Sequence, residues 1–142
     1  MKLLISSNEL KRFKRRASKA YPREIYALMF GKEVYGKWLR TYRVTKIQLV
    51  PAVESTYEYV IPDWPAAEKM VKEAELMLIV SIHTHPQAPS TLSKHDYDTW
   101  EKGHLITGIL SIRKRNVLKT TELKFWGRKS PVPVKFKIIE GE

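Results

Sequence analysis

The chain contains no cysteine, which excludes disulfide staples and any metal site built on thiolates. It has no long apolar run either. The longest, Ile25 to Phe30 and Leu76 to Val80, fall far short of the roughly 20 residues that cross a bilayer as a helix. No apolar secretory segment opens the sequence, so the expected location is the cytoplasm, with no membrane partner. Asparagine and glutamine occur only twice each beside many Lys, Arg and Glu, a bias in the direction of heat adaptation. Internal repeats, low-complexity tracts and Gly/Ser linkers are also missing. The expectation is one domain over residues 1–142, ending in a short basic extension at about 128–142.

Acid is the other shortage, with 15 Asp and Glu against 26 Lys and Arg for a formal charge of +11. Residues 1–20 hold seven cations and one acid, residues 111–142 hold nine and three, and the middle is nearly neutral. The basic excess therefore belongs to the two ends of the chain. Such ends suit an acidic partner, whether protein or nucleic acid, or serve only as a solvated surface. With 43% hydrophobic and 29% charged residues, the composition is that of a globular protein with a core.

Ser6 with Glu9 three residues later forms a capping-box pattern. Beyond it Leu10, Phe13, Ala17, Ala20 and Tyr21 share one helical face, cations cover most of the rest, and Pro22 ends the helix. Glu24 to Phe30 reads as a buried strand closed by Gly31. Arg40 to Val50 and Tyr57 to Ile61 read as two more. Asp63 is placed to cap a helix that has Pro65 in its first turn and runs to about Glu75. Leu76 to Ile82 reads as a central strand delivering the chain to His83, and Ser93 opens a helix to about Lys102. Leu105 to Ile112, Glu122 to Trp126 and Val132 to Ile139 complete the strands. The pattern predicts an α/β fold, a mixed sheet flanked by helices.

The most informative stretch is His83-Thr84-His85-Pro86, followed by Ser93 and Asp96. Residues i and i+2 of a strand point to one face, so His83 and His85 can converge while Thr84 faces away. Pro86 cannot continue the ladder, so the chain leaves the sheet where ligands are needed. Two histidines and a carboxylate can hold zinc on three protein ligands and leave a fourth position for water. A lone histidine pair is more often a surface or core pair than a metal site. Ser93 with Asp96 equally fits a simple helix start, and the two readings are compatible.

Zinc lowers the pKa of water to about 7, and amide hydrolysis still needs a proton carrier. Glu24, Glu54, Glu58 and Asp98 are the candidates from the residues alone. Glu24 leads because it stands at the edge of an apolar run, where partial desolvation raises a carboxyl pKa. His95 and His104 read as surface residues.

Taken together, Glu24, His83-Thr84-His85-Pro86, Ser93 and Asp96 resemble the JAMM motif of MPN-domain metalloproteases, and PREIYALMFG resembles that family's first strand. The resemblance covers about residues 5–127 and implies a mixed, curved sheet of the MPN/JAMM, cytidine-deaminase-like kind. It implies one Zn²⁺ ion on His83, His85 and Asp96 with water as the fourth ligand. Glu24 would then be the proton carrier and Ser93 the group stabilising the oxyanion. It further implies an isopeptidase acting on a ubiquitin-like or sulfur-carrier protein and its conjugates. Two alternatives compete. One is a nucleic-acid-associated module of the DNA-repair-linked type, using helix 11–19 with Phe13, and Trp126 beside Arg128 and Lys129. The other is a non-catalytic, metal-free interaction scaffold.

Overall fold

The computed structural model describes residues 1–35, 39–93, 106–127 and 132–140. In chain order the elements are β1 (Lys2–Ser6), α1 (Ser7–Ala20), β2 (Tyr26–Val34), β3 (Thr41–Val50), β4 (Ala52–Ser55), β5 (Val60–Pro62), α2 (Trp64–Glu73), β6 (Met77–Pro86), β7 (Ile106–Arg115), β8 (Leu118–Trp126) and β9 (Lys135–Ile139). Seven strands form one sheet in the order β8-β7-β6-β2-β3-β1-β9, while β4 and β5 form a separate small hairpin. Pairing is mixed. β1 runs parallel to β3 and β9, β6 runs parallel to β7, and the other neighbours are antiparallel. The α/β reading with a mixed sheet holds. The stretch before β9 also bonds to β8, through Val134 N–H to the Phe125 carbonyl at 2.8 Å and a bridge between Trp126 and Pro133. That contact draws the two sheet edges together, so the sheet curves almost into a barrel.

Helices cover both faces, which explains why β2 reads as a continuous apolar run rather than an alternating one. Ala27 and Met29 pack with Leu10, Phe13 and Ala17 of α1, while Leu28 and Phe30 pack with Ala67 of α2. Phe13 is fully interior, so it is a core anchor and offers no face to a nucleic-acid base.

The capping box forms only in part. Ser6 Oγ accepts from Glu9 N–H at 3.5 Å, whereas the Glu9 carboxylate turns to Ile47 N–H of β3 at 3.0 Å and to Arg12 at 3.0 Å. That Ile47 N–H lies beside an irregularity where the β2–β3 register shifts between Phe30 and Gly31. Glu9 thus ties the helix to the sheet where the ladder is broken.

Gly31 does not close its strand as expected; β2 continues to Val34. A Cβ at Gly31 would stand 1.7 Å from the Arg43 carbonyl oxygen. Close backbone approach, not chain termination, accounts for the glycine. Gly31→Ala is therefore expected to destabilise the fold by about 3 kcal/mol, as overpacking against unyielding backbone does. Urea unfolding followed by circular dichroism measures it.

Other elements and boundaries differ as well. β1 and β4 were not expected, and α2 stops at Glu73 with Asp63 as its cap, its side chain accepting from Ala66 N–H at 3.2 Å. The β7–β8 hairpin is longer than Leu105–Ile112 and Glu122–Trp126 suggest, because Asn116 turns it with φ of 55°. The helix expected from Ser93 to Lys102 lies, beyond Ser93 itself, outside the described residues.

Candidate metal centre

Sheet pairing brings the site together. β2 and β6 are antiparallel neighbours with Tyr26 opposite His83. Glu24, two residues before Tyr26, therefore meets the end of β6 where His85 lies. Strand alternation puts Glu24, Tyr26, His83 and His85 on one face, the face that α2 covers. Ligand-capable atoms of Glu24, His83 and His85 all lie within 4.8 Å of one another. The three residues are only 5%, 8% and 5% exposed. Pro86 ends β6, and Gln87 leaves it with φ of 57°.

The histidines present a specific geometry. Nδ1 of His85 lies 2.9 Å from the Pro89 carbonyl oxygen. A carbonyl only accepts, so Nδ1 of His85 carries the proton and its Nε2 presents a lone pair. That Nε2 faces the Nε2 of His83 at 3.1 Å. Two imidazole nitrogens on one tetrahedral ion at about 2.0–2.1 Å lie roughly 3.3–3.4 Å apart. The donor set, two imidazoles and a carboxylate converging in a buried space, fits a divalent cation. A second hydrogen bond from the far ring nitrogen is the usual means of holding a histidine ligand in register.

Four contacts clamp the backbone around Glu24. Its N–H donates to the Thr56 carbonyl at 2.7 Å, and its carbonyl accepts from the Ser55 hydroxyl. Thr84 N–H donates to the Ile25 carbonyl at 3.1 Å, while Ile25 N–H donates to Thr84 Oγ1 at 2.9 Å. Thr84 therefore does more than face away from the histidines. Its hydroxyl replaces a main-chain acceptor at the point where β2 begins. The alternation of the His-x-His run hides this, because the partner lies 59 positions away. Thr84→Val keeps the shape and leaves the half-buried Ile25 N–H without its acceptor, at an expected cost of about 1 kcal/mol. Thermal unfolding with and without metal would detect it.

The loop after the histidines is pinned to β7 and β8. Gln87 exchanges side-chain hydrogen bonds with the Lys114 backbone at 2.7 and 3.1 Å. Ser111 donates its hydroxyl to the Ala88 carbonyl, and Ser90 donates its own to the Glu122 carboxylate. Trp126 Nε1 donates to the Ser90 carbonyl at 3.2 Å. The Ser90 hydroxyl, followed by Lys124 and Arg113, holds the Glu122 carboxyl below its ordinary range, so it stays an acceptor at neutral pH. This lattice fixes Pro89, and through it His85. On the other side of the site Tyr26 meets Trp64 edge-on at 5.9 Å, and burial raises its phenol pKa against a smaller opposing hydrogen bond from Ser81. Tyr26 stays neutral.

Of the residues read as the site, the structure brings together Glu24, His83 and His85. Ser93 is exposed at the end of its described stretch. Asp96 lies outside the described residues, as do His95, Asp98 and His104. Glu54 and Glu58, the other candidate proton carriers, are exposed outside the cluster, and Glu54 accepts from the Tyr59 hydroxyl at 2.7 Å.

The model of prokaryotic homologs of the JAB domain matches residues 6–129. The chain belongs to this family. Solved structures agree on the fold of this JAB-domain chain. A solution structure from Desulfitobacterium hafniense has a TM-score of 0.71 at 15% identity, covering 98% of this chain and 94% of that one. A crystal structure of a JAB1/MPN domain protein from Archaeoglobus fulgidus has a TM-score of 0.62 at 19% identity, covering 99% and 100%. A solution structure from Salinibacter ruber has a TM-score of 0.60 at 21% identity, covering 100% and 92%. None of the curated proteins matches the sequence. Among the described residues no helix is long and apolar enough to cross a membrane.

Proposed function

We propose that this chain is a zinc-dependent isopeptidase that hydrolyses the bond after the C-terminus of a ubiquitin-like modifier or a sulfur-carrier protein. The observation that carries the reading is the buried convergence of Glu24, His83 and His85. A structural role alone gives no reason for two imidazoles and a carboxylate to point inward together. Nitrogen and oxygen donors with no thiolate suit zinc. His83 and His85 would hold the ion through Nε2, and Asp96 would join them by its place in the motif. When bound, the ion supplies Lewis acidity and water activation near neutral pH.

The protein's own groups then divide the work. Glu24, held by its four backbone clamps, takes the proton of the attacking water on a carboxylate oxygen and passes it to the leaving amine. Ser93, also placed by the motif, offers its hydroxyl to the developing oxyanion. Burial around Glu24 keeps competing water from its carboxylate. The loop latch through Pro89 keeps His85 in the tautomer that presents Nε2.

The test is cleavage of a ubiquitin-fold protein joined through its C-terminus to a lysine side chain, assayed with the zinc-loaded protein and after chelation. Cleavage lost with chelator and restored by zinc supports the reading. Zinc-loaded protein that cleaves no such conjugate and no short peptide of its tail would sink it. Asp96→Asn is expected to weaken zinc by about 10-fold or more, since a charged ligand becomes neutral. Unchanged zinc content, measured by elemental analysis after dialysis, removes Asp96 from the ligand set.

A further inference from the structure

Past the metal centre the sheet continues as an arm. β7 runs parallel to β6 with Ser111 beside His85, then extends four residues further to Arg115. That is about 13 Å of extended chain. It returns as β8, with Arg115 paired to Leu118 and Arg113 to Thr120. Arg113, Lys114, Arg115 and Lys119 fall in this stretch, and no acid occurs before Glu122. Strand alternation puts Arg113, Arg115 and Leu118 on the same face as Ser111 and His85. At the tip Val117 is 91% exposed and Leu118 71%.

A two-stranded ribbon that projects from its sheet is marginal by itself. This one is held from both sides. Gln87 grips the Lys114 backbone from the side of the metal centre. Opposite, Lys119 Nζ reaches the Ser18 hydroxyl at 2.8 Å and the Ser18 carbonyl at 3.0 Å, and sits 5.4 Å from the centre of the Tyr21 ring. Cations on an edge strand deter edge-to-edge pairing, but that role has no use for two bare aliphatic side chains. A rigid arm ending in apolar side chains ringed by positive charge has the composition of a binding surface.

The chemistry selects the partner. A phosphate backbone would satisfy the arginines and offer nothing to Val117 and Leu118. The aromatics that would stack on bases are committed elsewhere, Phe13 in the core and Trp126 by its bond to Ser90. We propose that the β7–β8 arm is the docking surface for an acidic protein substrate. Arg115, Val117 and Leu118 hold the substrate's folded body while its extended tail reaches Glu24, His83 and His85. The proposal rests on the isopeptidase reading and names the kind of protein that reading requires.

The test measures binding of a strongly acidic ubiquitin-fold protein with a free extended tail to the full-length, zinc-loaded chain. Arg115→Glu combined with Leu118→Ser is expected to weaken binding at least about 10-fold and to flatten its salt dependence. Val117→Ser alone, which changes no charge, is expected to weaken it less. Zinc content and hydrolysis of a short tail peptide stay as in the wild type, so the loss shows in KM for the whole conjugate and not in kcat. Unchanged affinity in the double variant overturns the proposal. Equally tight binding of a 20-base-pair DNA duplex or of phosphatidylserine vesicles, lost in the same variant, also overturns it and makes the arm a phosphate surface. If neither peptide nor conjugate is cleaved while the variants still lose binding, the isopeptidase reading fails and the docking surface stands.

Discussion

Replacing Glu24 with glutamine is expected to slow hydrolysis by about 10²- to 10⁴-fold, the usual contribution of a positioned acid or base, while zinc content and folding stay unchanged. Glutamine preserves the size and hydrogen-bonding reach of the side chain and removes its capacity to carry a proton. The four clamps on the local backbone come from Thr56, Ser55 and Thr84 and use main-chain atoms of residues 24 and 25, so the substitution leaves them intact. Rates measured with a tail peptide and with a conjugate should fall by the same factor, because the lost group acts at the reacting bond. A variant that loses its zinc instead would make Glu24 a ligand, which its distance to the histidines also allows.

His83→Ala carries the second large effect, loss of the bound ion and with it all activity above background. Its Nε2 is 3.1 Å from that of His85, and one imidazole with one carboxylate leaves too few donors for a tight site. Stability should report the loss as well as activity does. Free zinc at about 100 times its dissociation constant stabilises a folded protein by roughly 2.7 kcal/mol, so added zinc should raise the melting temperature of the wild type. In the His83→Ala protein that rise should vanish. Calorimetric melts at two zinc concentrations decide it, and an undiminished rise in the variant would place the ion elsewhere.

The elements nearest the chemistry were the most legible in the sequence. The nearly continuous apolar run from Leu76 to Ile82 and the break at Pro86 located the strand end, while Glu24 led four candidate acids and was singled out by the resemblance to the JAMM motif. What escaped were features that depend on partners distant in sequence. β1 is five residues long, and only the short run Leu3-Leu4-Ile5 betrays it, yet it pairs with both β3 and β9. Gly31 looked like a stop because strands often end at glycine, whereas its cause is the Arg43 carbonyl across the sheet. The arm beyond Ser111 was hidden because no Asn-Gly or Asp-Gly signal marks its turn. Phe13 read first as part of the apolar helix face, with a stacking platform as the competing role, and its packing under the sheet settles it as core.

The clamp on Glu24 shows why a site can be read more easily than its support. Ligand types and spacing are properties of short segments. The hydroxyl of Thr84 and the hairpin of β4 and β5 act through backbone atoms 30 to 60 positions away, and nothing in a linear pattern reports such contacts. The same holds for Gln87 and Ser90, which couple the histidine loop to β7 and β8.

The central claim is that Glu24, His83 and His85 form one metal centre in which the histidines bind and the glutamate does not. Calorimetric titration of zinc into the metal-free, full-length protein tests it most directly. The expected result is one ion per chain, with binding abolished in His83→Ala and in His85→Ala and retained in Glu24→Gln. Zinc binding that survives both histidine substitutions, or that is absent from the wild type, would contradict the account.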